Sequence, residues 1–155
     1  MVRIGCSGWN YDSWRGGLYP EGMGPARWLR EYARHFDTVE VNSTFYRLAS
    51  RKGVERWAAD TPEGFCFAVK GSRYLTHVKR LSDDADKGFS FGKGIARFYE
   101  RIAPLIPAGK LGPVRWQLPP TFKRDDGIDV YAYFNNDLEV FGARNAAALE
   151  RLLHA

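Results

Sequence analysis

Thr38-Val39-Glu40-Val41-Asn42-Ser43-Thr44-Phe45-Tyr46 begins as a strand and runs into a polar, aromatic turn. Successive side chains along a strand point to opposite faces. Val39 and Val41 therefore share one face of Thr38–Asn42, and Glu40 and Asn42 share the other. The same split returns in four further runs. In Arg3–Ser7, Ile4 and Cys6 oppose Gly5 and Ser7. In Phe65–Lys70, Phe65, Phe67 and Val69 oppose Cys66, Ala68 and Lys70. In Pro113–Leu118, Val114, Trp116 and Leu118 oppose Arg115 and Gln117. In Ile128–Phe134, Val130, Ala132 and Phe134 oppose Tyr131, Tyr133 and, just beyond, Asn135. Each run has a bulky apolar face suited to helix packing. Its other face is small or polar, with the polar members toward the C-terminal end.

Helical patterns fall between these runs. Pro25–Phe36 places Trp28, Leu29, Tyr32, Ala33 and Phe36 on one stripe, with Pro25 suited to a first turn. Gly53–Ala59 reads as a short helix capped by Ser50. Lys93–Ile106 carries Ile95, Phe98, Tyr99, Ile102 and Ile106 at helical spacing, and Pro104 is expected to kink or end it. Leu138–Leu153 closes the chain. Alternating strands and helices predict an α/β fold with a mostly parallel sheet covered by helices, as a single domain over residues 1–155. One join is anomalous. Only Pro119–Gly127 separates the last two strands, whereas a parallel crossover needs a dozen or more residues.

A chain of 155 residues with 45% hydrophobic and 15% aromatic content has the means to build a packed core. The formal charge of +5, from 23 basic and 18 acidic residues, is scattered along the sequence. Such an excess fits a solvated basic surface, or an anionic partner. Cys6 and Cys66 lie in apolar strand-like runs and are expected as buried free thiols, with a disulfide as the alternative. The N-terminus enters a strand directly, and no apolar run is long enough to span a bilayer. A cytoplasmic location without membrane contact is the expectation.

Polar groups on the inner faces of strands need partners, because an unpaired buried charge is costly. A common concave site at the strand ends would hold Glu40, Asn42, Lys70, Arg115, Gln117 and Asn135 together. Strand C-termini are where α/β folds place ligands. Glu40 is the expected acid/base group. Lys70 and Arg115 would hold an anion, Asn42, Gln117 and Asn135 would orient it, and His77 would assist catalysis. Ser7, Trp9, Tyr46, Asn136 and Asp137, in or beside the following loops, complete the expected ligand-binding set. Aromatic and basic loop residues suit a flat or anionic ligand. The competing reading is a structural ion network, Glu40 with Lys70 or Arg115, that only holds strands together. No zinc spacing, phosphate-binding glycine loop or catalytic-serine order occurs, so no metal site is expected and no cofactor is assigned.

Five motifs carry a resemblance. Gly5-Cys6-Ser7-Gly8-Trp9, Val39 to Tyr46, Phe67-Ala68-Val69-Lys70-Gly71-Ser72, Trp116-Gln117-Leu118-Pro119-Pro120 and Tyr131 to Asp137 resemble the YecE-like family, domain of unknown function 72. The resemblance implies a TIM-type barrel, loosely related to sugar-isomerase-like and endonuclease-IV-like barrels. It brings no settled activity. Such barrels take roughly 250 residues, with about 200 as a lower bound. The chain follows the family's first four strand units and then passes, near Lys123–Gly127, to its last strand and helix. The family's central block has no counterpart.

The expected architecture is thus a shortened TIM-barrel-like fold with about five strands, too few to close the usual eight-stranded barrel. Open sheet edges invite association, so a homodimer is expected. The leading functional reading is an enzyme or degenerate enzyme that binds a small polar or anionic ligand. A non-catalytic scaffold module, and a nucleic-acid-processing protein suggested by the basic charge, stand as alternatives.

Overall fold

The computed structural model describes residues 2–84, 86 and 88–122. The chain divides after Pro120 into one compact unit, residues 1–120, and a second, residues 121–155. The first unit is an α/β layer with the TIM-barrel-like topology in open form. β1 (Thr38–Val41), β2 (Cys66–Lys70) and β3 (Leu111–Arg115) form a parallel sheet in the order β1-β2-β3. Val39 aligns with Phe67, Glu40 with Ala68 and Val41 with Val69. Lys70 aligns with Arg115, after an irregularity between Phe67 and Val69.

The expected segregation of faces is present. Val39, Val41, Phe67 and Val69 are fully buried, in one cluster with Trp28, Tyr32, Val54, Phe98, Ile102 and Leu105 from the helical layer. That layer comprises α1 (Trp28–Tyr32), α2 (Ser43–Tyr46), α3 (Arg51–Asp60) and α4 (Phe91–Ile102). The helix expected over Pro25–Phe36 is shorter. Pro25–Arg27 forms a 3-10 turn and only Trp28–Tyr32 is α-helical. In α3 the Ser50 hydroxyl accepts from the Gly53 N–H at 3.1 Å, as its capping role requires. α4 gives way at Ala103–Leu105 to a 3-10 turn containing Pro104, which has no N–H to continue the helix.

Three expectations are corrected. Arg3–Ser7 is not a strand but makes one parallel bridge, Ser7 with Glu40. Two ladder bonds form there, Glu40 N–H to Cys6 O and Gly8 N–H to Glu40 O. The next in line is interrupted, because the Tyr32 hydroxyl accepts from Cys6 N–H at 2.7 Å and donates to Thr38 O at 2.9 Å. The Tyr32 side chain thus stands where a direct Cys6–Thr38 bond would continue the sheet. The strand expected over Pro113–Leu118 instead runs from Leu111 to Arg115. Both cysteines are free thiols, and both are half-buried rather than buried.

The loops expected after β1 and β2 are partly helical: Ser43–Tyr46 is α2, and Tyr74–Val78 is a π-helical turn. The strand expected over Ile128–Phe134, the helix over Leu138–Leu153 and the junction at Lys123–Gly127 lie outside the described residues. Among the described residues, no helix is long and apolar enough to cross a membrane, and no three His, Cys, Asp or Glu side chains gather as metal ligands.

Candidate functional site

The polar face of the sheet brings Glu40, Arg115 and Ser7 into direct contact. Arg115 Nη1 donates to Glu40 Oε1 at 2.8 Å, and the Ser7 hydroxyl donates to Glu40 Oε2. Glu40 on β1 thereby reaches across β2 to Arg115 on β3, with both side chains mostly buried. Thr44, at the start of α2, donates to Lys70 O at 2.6 Å and lies within 2.8 Å of Val41 O. It ties the ends of β1 and β2 together.

Lys70, the last residue of β2, is 7% exposed. Its ammonium sits over the Phe45 ring, 4.6 Å from the centroid. Among the described residues it makes no hydrogen bond. Lys110 supplies a control, because it is buried to the same 7%. Its ammonium donates to the carbonyls of Ala58 and Thr61 at the C-terminal end of α3. One buried lysine is satisfied by the fold, and the other is left to a ring face. Burial pushes the Lys70 ammonium below the usual lysine range. Glu40 opposes that shift and Arg115 adds to it.

His77 lies in the π-helical turn, its ring edge-on to Phe45 at 5.3 Å between centroids. Its Nδ1 shares a hydrogen bond of 2.8 Å with the Thr76 hydroxyl. Burial, then the charges of Arg73 and Lys70, hold the imidazole below its ordinary range. Phe45 is therefore a platform with a cation on one side and an imidazole on another. Asn42, at the N-cap of α2, has a buried Oδ1 with no hydrogen-bond partner among the described residues.

The other expected residues are placed differently. Trp9 is 7% exposed and packs in the core against Trp57 and Phe67. Its expected ligand contact is replaced by a packing role, since a large apolar ring gains more from the helical layer than from a polar pocket. Gln117 falls two residues past the end of β3 and is exposed, because the strand stops at Arg115. Tyr46 is 67% exposed at the rim, edge-on to Phe45. Asn135, Asn136 and Asp137 lie outside the described residues. Phe45 and Thr44 fall outside the expected site because the sequence points to a turn, not a helix, over Ser43–Tyr46. Asn42-Ser43-Thr44, three residues that favour helix starts, is the signal that marks α2.

Chemically, the cluster offers two cations beside a carboxylate already held by two donors, a depressed imidazole, and an unpaired amide oxygen. That set suits a small anion with at least one hydrogen-bond donor.

Residues 3–129 match the family described as Protein of unknown function DUF72. The UPF0759 protein YunF of Bacillus subtilis is 32% identical over 123 residues, which are 79% of this chain and 41% of that protein. The UPF0759 protein YecE of Escherichia coli K12 is 33% identical over 123 residues, 79% of this chain and 39% of that protein. The chain thus spans well under half the length of these relatives. Among solved structures, a DUF72 family protein from Thermotoga maritima MSB8 superposes with a TM-score of 0.65 at 31% identity, over 81% of this chain and 47% of that one. A DUF72 family protein from Enterococcus faecalis V583 gives 0.62 at 26% identity, over 82% and 43%.

Proposed function

The chain belongs to the DUF72 family, and on that footing we propose that its strand-end cluster binds a small organic anion, a carboxylate or a phosphate, with His77 placed for proton transfer. The observation that carries this reading is Lys70. A charged group 7% exposed, with a ring face and no hydrogen-bond acceptor among the described residues, is costly unless something anionic completes it. Arg115 beside it is oriented by Glu40, and the unpaired Asn42 oxygen supplies an acceptor for a ligand hydroxyl or amine. Glu40 serves this reading as the group that holds Arg115 rather than as the primary base, because both its oxygens are already engaged.

A second reading has its own support: Glu40, Ser7 and Arg115 join the first segment to β1 and β3, as a purely structural network would. The two readings divide at Lys70, which that network does not use.

The test is calorimetric titration of small carboxylates and phosphates against the wild type, Lys70→Met and His77→Gln. A ligand should emerge whose affinity drops about tenfold or more in Lys70→Met, the loss of one charge-assisted contact. The pH dependence has a definite sign. An anion favours the protonated forms of Lys70 and His77, both of which the free protein disfavours. Binding should therefore take up protons, and affinity should rise as pH falls through the His77 transition, below about 6.5. A broad panel without a ligand, or a ligand bound equally by Lys70→Met, would overturn the proposal.

A further inference from the structure

A separate cavity of about 610 Å³ opens between the end of α2, the π-helical turn and α4. Its lining includes Arg47, Lys93 and Arg97. Among the described residues, no carboxylate lines it. Elsewhere on the surface, several basic side chains find acids: Arg30 and Arg56 pair with Asp60, Arg34 with Glu31, and Arg51 with Glu55. Among the described residues Arg47, Lys93 and Arg97 form no ion pair and no side-chain hydrogen bond. Of the acids near in sequence, Asp83 accepts from the Phe91 N–H and Asp84 pairs with Lys79, while Asp86 and Glu100 are not among the lining residues. Lys93 and Arg97 are also four residues apart on α4, where like charges repel and destabilise a helix. Three cations that line one cavity with no counter-charge among the described residues suit an anion.

The rest of the cavity is aromatic. Tyr74 and Phe89 meet edge to face at 5.6 Å, and Phe98 lies beneath. Gly94 lets α4 approach this wall. A Cβ there would come within 2.6 Å of Leu75 Cδ2 and 3.2 Å of the Phe89 ring. Tyr46 and Tyr74 stay 67% and 48% exposed at the rim, leaving ring surface for stacking. A volume of about 610 Å³ lies in the range of small-molecule sites. A bare phosphate would leave the rings unused, and a neutral aromatic ligand would leave the cations unpaired.

We infer that this cavity is a second binding site, for a small organic diphosphate with a planar ring, of the nucleoside diphosphate class. Arg47, Lys93 and Arg97 hold the phosphates, and the exposed tyrosines stack on the ring. The site shares only Tyr46 with the residues considered for the strand-end cluster, and does not depend on that cluster's ligand.

The test is calorimetric titration of the full chain with ADP, pyrophosphate, adenosine and a single-stranded oligonucleotide. ADP should bind most tightly, pyrophosphate more weakly, and adenosine weakest. Lys93→Gln and Arg97→Gln should each weaken ADP about tenfold, the loss of one charged contact. Both side chains are exposed on α4, so the variants should fold. Their melting temperature without ligand should stay level or rise, as the like-charge repulsion is relieved. Lys70→Met should leave ADP affinity unchanged, which separates this site from the strand-end cluster. The inference fails if neither ADP nor pyrophosphate binds, or if the Lys93 and Arg97 variants bind ADP normally. It fails also if the oligonucleotide binds more tightly than ADP with a steep loss on added salt, which would make the surface a nucleic-acid groove.

Discussion

Glu40 and Lys70 sit on the same polar face and have opposite relations to stability. Glu40 is satisfied twice over, by Ser7 and Arg115, with its side chain 15% exposed. Glu40→Ala would strand the Arg115 guanidinium, 20% exposed as a side chain, beside a second cation. The expected loss is about 2 kcal/mol, below the cost for a fully buried pair because solvent still reaches both groups. Lys70 is the reverse case, a buried charge that makes no hydrogen bond or ion pair among the described residues and has only the Phe45 ring and the Glu40 charge nearby to favour it. Lys70→Met keeps the length, keeps contact with Phe45 and removes the desolvated charge. It should stabilise the protein by about 1 kcal/mol. Urea unfolding of both variants measures the pair. Stability that falls in Glu40→Ala and rises in Lys70→Met identifies Lys70 as a residue kept for a ligand. A fall in both would make the whole cluster a structural network.

β3 shows how one element sets the site. Phe67 aligns with Leu111 but Val69 with Val114, so β3 spends one more residue than β2 over the same length. That extra residue lies at Gly112-Pro113, and it brings Arg115 opposite Lys70. A bulge re-aims the side chains beyond it. Gly112 is needed for closeness: an added Cβ would come within 2.4 Å of Cys66 Sγ and 3.0 Å of Phe67 O. Gly112→Ala should therefore destabilise by about 1–3 kcal/mol, the cost of overpacking. The urea midpoint should fall while the slope holds. The slip of register at this bulge was invisible in the sequence, because Val114, Trp116 and Leu118 alternate in period whether or not the strand reaches them. What was legible was the two-faced pattern of β1 and β2, since burial enforces alternation wherever one face packs on helices. Ile4 and Cys6 obey the same pattern, yet their segment is not a strand, because the Tyr32 hydroxyl from a distant helix takes its next ladder position. Trp9 follows for a related reason: its position after Arg3–Ser7 suggests a loop, and only tertiary packing brings Trp57 over it.

For the molecule as a whole, the open sheet poses the question of its edges. A closed parallel barrel has none, but the sheet of the described residues has only three strands. On the β1 side the segment Val2–Ser7 lies against the sheet by a single bridge, tethered by Arg3 to the Asp37 and Gly64 carbonyls. Its apolar side chains Val2 and Ile4 are 85% and 75% exposed. An extended, weakly paired segment with bare apolar side chains is a template for another chain, and natural sheets guard such edges with charge. Arg3 is spent on its own tether and offers no such guard. The expected outcome is association of two copies along this edge, seen by light scattering as twice the monomer mass. Ile4→Lys places a charge on the edge without touching the Tyr32 relay or the Glu40 cluster. It should shift the population to monomer while the melting transition stays cooperative. A wild type that remains monomeric at the highest concentrations reached, or an Ile4→Lys variant that dimerises as before, would move the association surface elsewhere. If dimer and ligand affinity fell together in Ile4→Lys, the partner copy would have to complete the strand-end site, since Ser7 joins this edge segment directly to Glu40.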